Sequence, residues 1–127
     1  MPHIPVSWGE LIDKITILEI KREHLTDQAA LANVGRELTA LSSIAEPVLA
    51  DDKPARDLMA RLKAQNEMLW EIEDRIREKE AAGAFDAEFV ELARSVYKRN
   101  DERATLKKQL NLQLASGLFE EKCYKPY

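Results

Sequence analysis

At 127 residues the chain is the size of one domain, and its 45% apolar content is too high for a disordered polymer. A formal net charge of −4 with no long Lys/Arg block speaks against a general nucleic-acid-binding surface, and a single cysteine excludes an intrachain disulfide. The 33% charged residues suit helices with charged outer faces, and the five prolines cluster so that long uninterrupted stretches remain between them.

The first helix is announced by Ser7-Trp8-Gly9-Glu10, which has capping-box spacing. The Ser7 hydroxyl can accept from the Glu10 amide, and the Glu10 carboxylate can return to the Ser7 amide. Val6 and Leu11 stand where a hydrophobic staple would place them. The helix is expected to cover about 8–25. Thr26-Asp27 provides a break and a cap, and Leu31, Val34, Leu38, Leu41 and Ala45 give a second helix over about 28–45, ended by Pro47. Asp51-Asp52-Lys53-Pro54 reads as a polar linker with Pro54 in a first turn. A third helix follows over about 54–81, carrying Leu58, Leu62, Gln65, Leu69, Ile72 and Ile76 and closed by Gly83. Asp86 can cap a fourth helix over about 87–115, carrying Phe89, Leu92, Val96, Leu106, Leu110 and Leu114 and ending before Gly117. A tail, 118–127, ends on two tyrosines that are expected to pack on the bundle or on a neighbour.

The pattern predicts a single all-α domain, a four-helix bundle. Helices 3 and 4 form a long antiparallel hairpin, with helices 1 and 2 packed beside it. The N-terminus shows no basic segment leading into an apolar run, and no stretch approaches the ~20 residues of a membrane span. A cytoplasmic protein with no membrane span is expected. Long helices on a short chain invite self-association, a homodimer first.

Several helical stripes carry polar residues where core residues belong. On the first helix Glu19 and Arg22 fall on the face of Trp8, Leu11, Ile12, Ile15 and Leu18, while Ile17 and Ile20 lie on the other side. The third helix places Gln65 on its stripe, and the fourth places Asn100, Arg103 and Lys107 between Val96 and Leu110. Buried charge is costly unless paired, so these six residues are candidates for one network inside the bundle. Two arginines and a lysine against one carboxylate would leave a cationic surplus suited to a phosphate or carboxylate. A closed structural seam and a subunit interface are the other readings of the same pattern, and the first helix, apolar on two sides, is expected to be either deeply buried or shared with another subunit through Ile17 and Ile20.

Other chemistry finds little support. Two histidines and one cysteine lack zinc-site spacing, and there is no glycine-rich phosphate loop. Glu10 and Asp13 have the E-x-x-D spacing with which helical pyrophosphatases hold magnesium, but Glu10 already serves the cap. No cofactor is implied.

The run Val6-Ser7-Trp8-Gly9-Glu10-Leu11-Ile12-Asp13-Lys14-Ile15-Thr16-Ile17-Leu18-Glu19-Ile20-Lys21 resembles the hallmark of the DUF6165 family. So do Leu31-Ala32-Asn33-Val34 with Arg36-Glu37-Leu38, Asn100-Asp101-Glu102-Arg103, and Glu120-Glu121-Lys122. This family of short bacterial and phage proteins has no established activity. The resemblance implies an association with glycosyltransferase and cell-surface polysaccharide systems. It makes a helical binding or interaction module the leading expectation, with a small enzyme or binder of an anionic metabolite as the alternative. Glu19, Arg22, Gln65 and Arg103 are also similar in type to the residues with which helical chorismate mutases hold a dicarboxylate. The first-helix arginine that those enzymes place ahead of the Ile12-Asp13 position is absent.

Overall fold

A computed structural model of the chain describes residues 1–118 and 120–127 and consists of four helices, α1 (Trp8–His24), α2 (Gln28–Leu49), α3 (Lys53–Ala82) and α4 (Ala87–Gln113). Position 119 of the expected tail lies outside the described residues. No strand occurs among the described residues. The all-α bundle is as expected: α3 and α4 pack most extensively, with α1 and α2 alongside.

Each helix starts where a short polar side chain caps it. Ser7, Asp27, Asp52 and Asp86 accept from the amides of Glu10, Ala30, Ala55 and Phe89. Only half of the expected capping box forms. The Glu10 carboxylate turns away from Ser7 and meets Lys107 at 2.8 Å, an ion pair that a return to the Ser7 amide would forfeit.

Three helix ends differ from expectation. Pro47 does not stop α2, which continues to Leu49. Pro47 is exposed and near the C-terminal end, where its fixed φ is already helical and the carbonyl it leaves unbonded, that of exposed Ser43, faces solvent. α3 begins at Lys53, because Asp52 is the cap. α4 stops at Gln113 ahead of Gly117: Ala115 takes the left-handed conformation at φ 53°, and the Ser116 amide closes back on the Asn111 carbonyl at 2.8 Å. Gly83 does cap α3 in the left-handed region, at φ 64°.

α1 is the centre of the molecule. One face, with Leu11, Ile15 and Leu18, packs on Val34, Leu38 and Ala45 of α2. The other side packs on α3 and α4, where Ile12, expected on the Leu11 face, instead joins Ala55, Leu62, Leu106 and Leu110. The two apolar sides read from the sequence are thus both used within one chain: Ile20 is 1% exposed and Ile17 half-buried. Of the two expectations for this face, deep burial and a subunit interface, burial is what Ile20 shows. Beyond the end of α1, residues 71–82 and their α4 counterparts continue as a two-helix arm of about 18 Å.

Candidate functional site

The polar seam lies on the side of α1 that faces α3 and α4, and its centre is Asp13. That carboxylate is 2% exposed. Arg103 of α4 grips it with both arms of the guanidinium, Nε donating to Oδ1 at 2.9 Å and Nη2 to Oδ2 at 2.6 Å. Asn66 of α3, itself buried, gives one amide hydrogen to Asp13 Oδ1 and the other to Thr16 Oγ1, both at 2.9 Å. Thr16 passes its own hydrogen to the Asp13 backbone carbonyl at 2.7 Å. No fully buried side-chain polar atom of this cluster lacks a partner, as the low dielectric of a core demands. The Asp13 hydrogen bonds raise the Arg103 pKa against the opposing effect of burial.

One turn away, Lys107 stands between two carboxylates, Glu10 at 2.8 Å and Glu120 of the tail at 2.6 Å. Burial pulls the Lys107 pKa down, but the two carboxylates outweigh it and the net shift is upward. Glu120 also pairs with Lys122 at 2.7 Å, and the two lysines bring its pKa down to about 2. Below Lys107, the backbones of α1 and α4 meet at Gly9. Its amide donates to Asn111 Oδ1 at 2.7 Å, and a Cβ there would lie 2.4 Å from the Lys107 carbonyl oxygen.

The six residues singled out in the sequence therefore divide. Arg103 and Lys107 are in the seam, and Asn100 touches its edge through a long 3.4 Å bond from Arg103 Nη1. Gln65 misses it by one position: it points to Arg99 at 3.5 Å, while Asn66 enters the seam. Glu19 and Arg22 lie elsewhere. Glu19 approaches Lys63 at 3.6 Å, with its Oε1 buried and unpartnered, and Arg22 is exposed. At 100° per residue, Arg22 falls about 180° from Asp13 on the α1 wheel, so it cannot share a pocket with Arg103. The cationic surplus is also corrected. Asp13, Glu10 and Glu120 balance Arg103, Lys107 and Lys122. Sequence reasoning missed Asp13, Asn66 and Thr16 as a set. The signal was present in Asp13 and Thr16, one turn apart on a helix and set among Ile12, Ile15, Ile17 and Ile20.

Glu10 and Asp13 do come together, but each faces a cation of α4. No group of three potential metal-ligating side chains occurs among the described residues.

Over this seam the tail folds back along α4 and leaves a cleft of about 830 Å³. Its floor is Asn100, Asp101, Arg103 and Lys107, and its lid is Lys122, Tyr124, Lys125 and Tyr127. The Tyr127 ring packs on Tyr97 of α4 with centroids 4.8 Å apart, and its hydroxyl pKa is raised by the Asp101 carboxylate. The expectation that the terminal tyrosines pack on the bundle holds for Tyr127. Lys125 forms no ion pair among the described residues.

The match to known families covers this whole arrangement, since the DUF6165 family model spans residues 3–127. The chain belongs to DUF6165, a family of unknown function. Both the seam and the tail that covers it fall within the DUF6165 match. No curated protein matches the chain, and no solved structure matches it. No helix among the described residues is long and apolar enough to cross a membrane.

Proposed function

We propose that this protein is a helical binding module that takes an anionic small molecule, phosphate- or carboxylate-bearing, in the cleft between α4 and the tail. The observation that supports this is the composition of the cleft wall. Four cations, Arg103, Lys107, Lys122 and Lys125, and three tyrosines line the cavity, and Asp101 is the one acidic side chain among its described lining residues, while Glu120 holds Lys107 and Lys122 from the edge. Lys ammonium groups and the outer guanidinium edge supply donors to an anion, and the tyrosine rings pack the uncharged body of the ligand. Asn100, Arg103 and Lys107, read from the sequence as candidates, all line it.

Titration with inorganic phosphate, pyrophosphate and citrate, followed by amide chemical shifts, tests the reading. Saturable shifts are expected at residues 97–107 and 122–127. Lys125→Gln and Tyr97→Ala, both at exposed positions, should weaken binding severalfold at unchanged melting temperature. Shifts that remain linear with ligand, or that are the same in these variants, would sink the proposal.

A second reading rests on a different observation. The two-helix arm beyond α1 leaves Phe85 60% and Val90 52% exposed. Two such arms laid together would complete a four-helix layer, which favours self-association. Light scattering on the full chain should give a dimer that Phe85→Ser with Val90→Ser returns to monomer, and a strict monomer at all concentrations overturns it.

A further inference from the structure

Two lysines of the cleft wall already hold an anion of the chain's own. We infer that Glu120 is an internal stand-in for the ligand, and that an incoming anion takes its place between Lys107 and Lys122 rather than adding to it. The inference rests on the reading of the cleft as an anion site and specifies how that site is controlled.

Geometry and charge both support exchange. The Glu120 carboxylate spans the Nζ atoms of Lys107 and Lys122, at 2.6 and 2.7 Å. These are the distances that a ligand carboxylate or phosphate would adopt. Lys107 is the most deeply placed ammonium of the cleft, its side chain only 10% exposed. The third carboxylate near it matters too: with Glu10, Asp13 and Glu120 set against Arg103, Lys107 and Lys122, the seam is neutral as it stands. A further anion admitted to a neutral, half-buried set would be uncompensated, which is costly. Releasing Glu120 into solvent restores the balance. Glu120 is suited to leave: it is exposed, it sits outside any helix, and among the described residues no backbone hydrogen bond holds it. Glu10 and Asp13, by contrast, are fixed on α1.

The test compares the full-length wild type with Glu120→Gln and with the charge-matched control Glu121→Gln, using inorganic phosphate as the probe. Phosphate should bind Glu120→Gln about tenfold tighter than the other two, since the internal competitor loses its charge. A second measurement does not depend on the tail tolerating the substitution. At pH 4.5 the carboxylate carbon of Glu120 in the wild type should resonate at its ionised position, as a group with a pKa near 2 does. Saturating phosphate should move it toward half-protonation as the lysines are withdrawn. Phosphate binding that leaves this resonance unmoved, with equal affinities for both variants, overturns the exchange while the anion site stands. Absence of saturable binding in all three proteins overturns the site reading and the exchange with it.

Discussion

Replacing Arg103 with methionine is expected to destabilise the fold by about 3–5 kcal/mol, because it leaves the Asp13 carboxylate buried with no countercharge. Only the Asn66 amide would remain to it, and one neutral donor does not offset the desolvation of a carboxylate that is 3% exposed at the side chain. Urea denaturation of single and double variants decides the matter. Asp13→Asn alone should cost less, because Arg103 retains some solvent access at 29% side-chain exposure and can turn toward the cleft. Combining the two should recover much of the loss, giving a coupling energy of about 2 kcal/mol or more, as expected for groups in one network. Additive losses would show that the pair is not the seam's centre.

Gly9→Ala is the second large effect. A Cβ at this position would meet the Lys107 carbonyl oxygen at 2.4 Å, with the Asn111 Oδ1 at 2.8 Å. The first of these is backbone of a buried helical turn, so it cannot swing aside as a flexible side chain would. Either α1 lifts off α4, lengthening the 2.7 Å bond from the Gly9 amide to Asn111, or the helix bends. Overpacking of this kind costs about 1–3 kcal/mol, and the upper end is expected here because a buried hydrogen bond is strained at the same time. Gly35→Ala is the matched control. No atom lies within 4 Å of its added Cβ, and within α2 it should be neutral or mildly stabilising. A Gly9→Ala protein whose melting temperature matches that of Gly35→Ala would show that the close approach of α1 and α4 is unimportant.

The helices were legible because their signals are local. Asp27, Asp86 and Gly83 act where their positions said they would, and the 3-4 spacing of the leucines marks the α2 and α3 stripes. The seam was half legible. Arg103 and Lys107 betray themselves by interrupting an apolar run, but their partners cannot be read from the same helix. Asp13 was obscured because α1 is apolar on two sides, so no single stripe declares which polar residue faces inward. Arg22 interrupts the α2-facing side yet reaches water from the edge of a core, as a long side chain can, while Glu19 stays half-buried beside Lys63 of α3. Gln65 against Asn66 is a difference of one position, or 100°, which the tilt of α1 across α3 decides and a helical wheel does not contain. Glu120 in the seam depends on a tail with no periodicity at all.

The burial of α1 between α2 and the α3–α4 pair has a consequence for the order in which the molecule is made. α1 is synthesised early, and α2 can cover its first side within about forty residues. Its other side, where Ile12 meets Leu106 and Leu110 of α4, must wait for residues some ninety positions downstream to be complete. At the pace of translation that wait is on the order of ten seconds. For that interval α1 stays a partly covered, strongly apolar helix in the nascent chain, which makes it the segment of this domain where a chaperone would bind and where misassembly between neighbouring chains would begin.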